Sequence, residues 1–268
     1  MRIISHRGRS ENSTYKENSL DAIKYQISQG FDLEIDARFT RDKKIILSHD
    51  NFICDTQNNK LFFREHDYSY FVSSDPFFSF AFFQDVLTLV SSFPDTNFFI
   101  HLKQEEQNIQ NINILFKNTV PSKNLFFFDI SPCFAKYIYK NFPGFNIGPS
   151  FTLLYDKLRF NRGSLLSIVD VLLNLKYYNF IWYDQWDLKN FLGKKSFCPL
   201  WSLLLFKILH LKIALIDPDL HSFSVNYSNF FWHKDIYISY FCTNYPLKIK
   251  SLITNNEKLK NIQKKNKQ

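Results

Sequence analysis

The 268-residue sequence predicts an α/β fold, a barrel of eight parallel strands with helices outside and a long loop excursion over its C-terminal mouth. Three observations predict it. Short apolar runs alternate with longer helical patterns along the chain, which is the rhythm of a parallel sheet. That length and a hydrophobic content of 45% are enough for one large core, or two small ones. Only 6 glycines occur, with no G-x-G-x-x-G and no P-loop. The open doubly wound sheet, the other fold this alternation allows, therefore lacks its phosphate loop.

Residues 2–5 read as the first strand, and 16–29 as a helix ending at Gly30. Strands follow at 32–37 and 44–48. Residues 97–103 form another, followed by a polar helix from about 105 to 118. Leu125–Phe128 is a strand ending at Asp129, with a helix after Pro132. Residues 146–151 are a strand, 164–175 a helix and 178–183 a strand. The stretch 198–216 is broken by Lys207, His210 and Lys212, so it reads as a buried helix and a strand. A membrane span prefers about 20 uninterrupted apolar residues. The last strand lies at 236–242, and the closing helix opens on Pro246, a good first-turn residue.

Residues 51–96 break this rhythm, with no strand–helix unit before about 80–92. Phe62, Phe63, Tyr68, Tyr70, Phe71, Phe77 and Phe78 make the stretch too apolar for disorder. It reads as a lid-like insertion in a barrel domain spanning residues 1–250.

The net charge of +8 is concentrated at one end. Residues 248–268 hold seven Lys and one Glu, which leaves the body near +2 and makes 251–268 a basic tail. The body has no basic stripe with interleaved aromatics, so a nucleic-acid partner is not expected. Cys54, Cys133, Cys198 and Cys242 are scattered, with no C-x-x-C pair. This usage, and a start lacking a signal-peptide pattern, fit reduced thiols in a cytoplasmic protein.

Three short pieces carry the chemistry: His6-Arg7-Gly8, Glu34-Ile35-Asp36 and Ser48-His49-Asp50. Each ends an apolar run, where a parallel barrel gathers its reactive groups. Side chains alternate along a strand, so Glu34 and Asp36 point the same way and repel unless a cation lies between them. Arg7 offers a planar fork for phosphate, and Gly8 permits a sharp turn. His49 shares the face of Ile45 and Leu47. Two histidines can divide the proton transfers of phosphodiester cleavage, each typically worth about 10²–10⁴-fold. A cation and an Arg stabilise charge on the non-bridging oxygens.

The order of these pieces resembles the glycerophosphodiester phosphodiesterase family, within the superfamily of phosphatidylinositol-specific phospholipase-like phosphodiesterases. It reads His6-Arg7-Gly8, Glu17-Asn18, Gly30-Phe31-Asp32-Leu33-Glu34-Ile35-Asp36, Thr40-Arg41-Asp42 and His49-Asp50. Phe98 to Lys103 resembles the family's middle strand, and Thr243-Asn244-Tyr245-Pro246 its closing Thr-Asp-x-Pro. The resemblance implies a TIM barrel and a divalent metal such as Mg²⁺, Ca²⁺ or Mn²⁺. It makes His6 and His49 the acid–base pair, Arg7 and Lys103 phosphate contacts, Glu34 and Asp36 metal ligands, and Glu17 an acid in or behind the site. The implied substrate is a glycerophosphodiester or related small alkyl phosphodiester, cleaved to a phosphomonoester and an alcohol.

Two departures stand out. The family's third carboxylate ligand falls on His101, which shares a face with Lys103 and shifts preference toward softer ions. Glu105, Asp129 and Asp184 are other candidates for that carboxylate. A family Trp–Thr–x–Asn run is replaced by Ala214-Leu215-Ile216-Asp217-Pro218, and Asn244 stands for the usual Asp. Two further readings use the same residues. One is a barrel that has lost a metal ligand and binds a phosphorylated ligand without turnover. The other is a lyase that cyclises a phospholipid headgroup.

Overall fold

The structure, a computed structural model, describes residues 1–9, 11, 14–74, 81–151, 165–166, 168–183, 200–217, 220 and 238–265. Phe77, Phe78, Asp184, Cys198 and Pro218 lie outside the described residues. The strands are β1 (Arg2–His6), β2 (Asp32–Phe39), β3 (Ile45–Leu47), β4 (Phe52–Cys54), β5 (Lys60–Phe62), β6 (Phe98–Leu102), β7 (Leu125–Phe128), β8 (Asn146–Ile147), β9 (Ser150–Phe151), β10 (Leu165–Leu166), β11 (Phe180–Tyr183), β12 (Lys212–Ile216) and β13 (Tyr240–Thr243). The helices are α1 (Leu20–Ser28), α2 (Tyr68–Ser74), α3 (Phe83–Ser92), α4 (Ile109–Lys117), α5 (Pro132–Asn141), α6 (Ile168–Leu173), α7 (Leu200–Ile208) and the C-terminal helix Pro246–Lys265.

Parallel pairing runs β11-β12-β13-β1-β2-β6-β7-β8, and β9 pairs with β11. β8 and β9 are two pieces of the expected strand 146–151, parted at Gly148-Pro149. Asn179 donates its N–H to the Ile147 carbonyl (3.2 Å) and Trp182 to that of Pro149 (3.0 Å). The broken strand thus bonds to β7 on one side and β11 on the other, and the sheet closes as a TIM barrel with eight strand positions. A Cβ on Gly148 would sit 2.7 Å from the Phe180 carbonyl, so glycine permits this approach. β3 is off the ring, antiparallel to β2. Thr40 and Lys44 close a tight turn between them (3.0 Å), and a connection that short cannot join parallel strands.

The alternation of side chains divides the core in two. Leu33, Ile35, Phe98, Ile100, Phe127 and Leu215 face the helices. Ile4, Phe99, Phe126, Phe128, Phe180, Trp182 and Tyr240 fill the barrel. Phe99 is central to this filling, stacked on Phe126 (4.7 Å between centroids) and edge-on to Tyr240 (4.9 Å). The abundance of Phe therefore has a specific place: aromatic rings plug the barrel beneath the mouth.

The first helix begins four residues later than its expected start at residue 16. Ser19 caps it, accepting from the Ala22 N–H at 3.2 Å. Residues 16–18 are thereby freed to reach the mouth. The helix expected at 105–118 is likewise divided, into a 3₁₀ turn at Gln104–Glu106 and α4. The helix expected at 164–175 is reduced to α6, with Leu165–Leu166 paired to β9 as a strand instead.

The excursion has its own small core, in which Phe63 and Phe71 pack on Ile46 of β3. Its last part, α3, is an ordinary barrel helix that buries Phe83, Val86 and Val90. The C-terminal helix continues unbroken through residues 251–265 of the expected tail. No helix among the described residues is long and apolar enough to cross a membrane.

Candidate active site

β1 ends at His6, β2 carries Glu34 and Asp36, and β6 carries His101 just before Lys103. Register brings them level, with His6 opposite Glu34 and Asp36 opposite His101. The Glu34 and Asp36 side chains are 2% and 1% exposed. Two buried carboxylates are costly unless charge and hydrogen bonds compensate.

Asp36 is heavily compensated. Its Oδ1 lies 2.8 Å from Lys103 Nζ and 3.1 Å from His101 Nδ1. Its Oδ2 accepts from Asn18 Nδ2 at 3.1 Å and lies 3.2 Å from Arg7 Nε. Burial acts to raise its pKa, but Lys103, His101 and Arg7 outweigh burial and hold it well below the usual carboxylate range. Glu34 has less support. Its Oε2 accepts the Arg7 backbone N–H at 3.0 Å and lies 3.8 Å from His6 Nε2. Burial and the neighbouring Asp36 charge push it up to about 7.

The turn after β1 makes this possible. Arg7 and Gly8 both have left-handed backbone, with φ of 54° and 71°. A Cβ on Gly8 would meet Ala22 of α1 at 3.1 Å. The turn aims the Arg7 N–H at Glu34, while the Arg7 carbonyl accepts from the Asn18 N–H (2.9 Å). The buried Nε of Arg7 has no aligned acceptor among the described residues, despite its nearness to Asp36.

Each of the two expected acid–base histidines has its Nδ1 held by an oxygen. His6 Nδ1 lies 2.9 Å from Asn244 Oδ1, just past β13, and His49 Nδ1 lies 2.8 Å from Asp50 Oδ1. Burial and the Arg7 charge lower the His6 pKa to about 3. Burial and the Lys103 charge lower that of His49. His49 does not end a ring strand. It is fixed by its neighbours: the Ser48 N–H donates to the Asp36 carbonyl (3.0 Å), and the buried Arg38 guanidinium donates twice to the His49 carbonyl (3.2 and 2.6 Å).

His101 stacks on Phe128 (4.5 Å between centroids), and its Nε2 lies 3.3 Å from Asp129 Oδ2. Burial and Lys103 act to lower its pKa, whereas the hydrogen bonds to Asp129 and Asp36 raise it above the ordinary value. Glu34, Asp36 and His101 each offer one ligand atom within 4.8 Å of the others. Glu17 lies 3.5 Å from Arg7 and pairs with Arg9. It shares with His49, Asn18, Lys16 and Phe52 a cleft of about 300 Å³ beside these groups.

Sequence reasoning gave no role to Asn18, Asn244 or Arg38. Asn18 lies within the Glu17-Asn18 motif and Asn244 stands for an expected Asp, so the sequence singles out both positions without revealing their contacts. Arg38 carried no signal. Of the alternative acids, Glu105 is drawn aside into an ion pair with Arg38 (2.6 Å), because β6 ends at Leu102. Asp129 does reach His101.

The structure thus gathers buried carboxylates, basic groups and imidazoles at the C-terminal mouth of one barrel. Residues 6–138 match the model of the glycerophosphoryl diester phosphodiesterase family. Solved structures share the fold. A putative glycerophosphodiester phosphodiesterase from Galdieria sulphuraria superposes with a TM-score of 0.70 at 13% identity, over 94% of this chain and 97% of that one. The enzyme from Thermotoga maritima gives 0.64 at 17% identity, over 92% and 96%. A phosphodiesterase from Oleispira antarctica, solved with its product sn-glycerol-3-phosphate, gives 0.63 at 14% identity, over 95% and 97%. No curated protein matches the sequence. By that match residues 6–138 carry the sequence pattern of the glycerophosphoryl diester phosphodiesterase family, a family of phosphoric diester hydrolases, and the chain as a whole shares the fold of the solved structures named above.

Proposed function

We propose that this barrel, spanning residues 1–250 with a lid-like insertion within 51–96 ahead of α3, hydrolyses a glycerophosphodiester or related small alkyl phosphodiester. The products are a phosphomonoester and an alcohol. The observation that carries the reading is the buried Glu34–Asp36 pair with His6, Arg7, Lys103 and His101 around it.

The donor set fits a divalent cation. The 3.1 Å between His101 Nδ1 and Asp36 Oδ1 is the spacing of two neighbouring ligands on an ion with bonds of about 2.1 Å. Glu34, Asp36 and His101 would hold it, with a softer ion accepted because one ligand is imidazole. When bound, the ion supplies positive charge to the non-bridging oxygens and lowers the pKa of bound water. Arg7, with its unmatched buried Nε–H, and Lys103 meet phosphate oxygens. Glu17 steadies the Arg7 guanidinium. Asn244 accepts from Nδ1–H of His6 and Asp50 from Nδ1–H of His49, so Nε2 of each ring is left to exchange protons. One imidazole removes the proton of the attacking water and the other returns one to the leaving alkoxide. The cleft beside His49, walled by Phe52 and Ile53, takes an alcohol group of the substrate.

The test is turnover of glycerophosphocholine followed by phosphorus NMR. A monoester product that depends on a divalent ion and disappears in EDTA supports the reading. A cyclic phosphate favours the lyase. Binding of glycerol phosphate without turnover by any ion favours the non-catalytic barrel.

A further inference from the structure

We infer that Asp129 is the positioning residue of the cation site, and that the Asp129–His101 pair makes the site favour a nitrogen-seeking divalent ion such as Co²⁺ or Zn²⁺ over Mg²⁺ or Ca²⁺. This rests on the reading of Glu34, Asp36 and His101 as cation ligands.

Two contacts fix the imidazole. The ring plane lies against Phe128, which is itself stacked on Trp182 (3.9 Å). The Nε2 edge meets Asp129 Oδ2 at 3.3 Å. Nδ1 is then the edge facing the carboxylates, 3.1 Å from Asp36 Oδ1 and 3.9 Å from Glu34 Oε1. A cation held by these three atoms, which lie within 4.8 Å of one another, would take the place of the proton that Nδ1 shares with Asp36. A carboxylate behind a ligating imidazole fixes its tautomer and makes it a stronger donor.

Asp129 is built for this place. Its backbone is left-handed, with a φ of 67°, at the end of β7, and its carboxylate reaches His101 on the neighbouring β6. Gln107 holds the turn by donating to the carbonyls of Leu102 (3.0 Å) and Asp129 (2.5 Å) and accepting from the Ser131 N–H (3.1 Å). Imidazole suits Zn²⁺ and its neighbours, whereas Mg²⁺ and Ca²⁺ prefer oxygen.

The experiment is calorimetric titration of the EDTA-treated full chain with Co²⁺ and with Mg²⁺, together with the visible spectrum of the Co²⁺ form. Asp129→Asn is the informative variant, since Asn tolerates positive φ and keeps the shape. It should weaken Co²⁺ by roughly 10–100-fold, move the Co²⁺ band and change Mg²⁺ much less. In the His101→Glu background, Asp129→Asn should no longer selectively weaken Co²⁺, and the ratio of Co²⁺ to Mg²⁺ affinity should fall. An Asp129→Asn protein that binds Co²⁺ like the parent overturns the inference and leaves the cation site standing. So does a selective Co²⁺ loss that persists without His101, or a Co²⁺/Mg²⁺ ratio unchanged by His101→Glu, which can be read even if Asp129→Asn fails to fold. A parent chain that binds neither ion overturns both the inference and the cation reading.

Discussion

Asn244 Oδ1 lies 2.9 Å from Nδ1 of His6, joining the end of the last barrel strand to the end of the first. β13 and β1 are paired neighbours, so the ring's own closure sets this contact. Asn244→Ala removes the acceptor that fixes the ring and its tautomer. We expect kcat to fall about 10-fold, a fraction of the range of acid–base catalysis, with KM little changed. Asn244→Asp keeps an acceptor and adds charge, which favours protonated His6 and moves the acid limb of kcat/KM to higher pH. Identical pH profiles for the parent and Asn244→Asp would remove Asn244 from this role.

Arg38 stands between His49 and the acids after β6. Its guanidinium donates to the His49 carbonyl and pairs with Glu105 (2.6 Å) and Glu106 (3.6 Å). Arg38→Met leaves Glu106 short of its partner, and loss of one member of a buried pair costs about 3–5 kcal/mol. We also expect kcat to fall in the parent but not in a His49→Ala background. Urea unfolding and steady-state kinetics measure the two effects separately. An equal fall in both backgrounds would show that Arg38 does not act through His49.

The ring of this barrel was legible in the sequence because apolar runs and terminal polar residues coincide. Glu34 and Asp36 were readable as neighbours on one face from alternation alone. What was not legible depends on contacts across the ring. Alternation cannot reveal that 44–48 folds back as β3, that Glu105 is captured by Arg38, or that Asp129 stands behind His101. The first of these follows from a tight turn. The other two depend on where a strand stops and on one left-handed backbone angle, neither of which has a period.

Burial and Arg7 lower the His6 pKa to about 3, against an ordinary value of 6.5. Between those values the unfolded chain binds a proton that the folded chain refuses. His6 therefore contributes stability that is full above about pH 6.5 and is lost as pH falls toward 3, at up to about 1.4 kcal/mol per pH unit. In EDTA, stability measured by urea should fall less steeply with acid for His6→Asn than for the parent. Parallel curves would contradict the desolvated, neutral imidazole.

Phe99 is fully buried in the centre of the barrel filling. Phe99→Ala should cost about 3–5 kcal/mol of unfolding free energy, since the surrounding rings cannot collapse into the space. A loss below about 1 kcal/mol by urea titration would mean the aromatic plug is not what supports the mouth.

The most direct measurement is phosphorus NMR of glycerophosphocholine with the parent chain, His6→Ala, His49→Ala and Glu34→Gln, each with and without a divalent ion. The account predicts that the parent releases a phosphomonoester only with the ion. Each histidine variant should lose about 10²–10⁴ in kcat, and Glu34→Gln should lose ion binding with activity. Full turnover in EDTA, or either histidine variant as active as the parent, would contradict it.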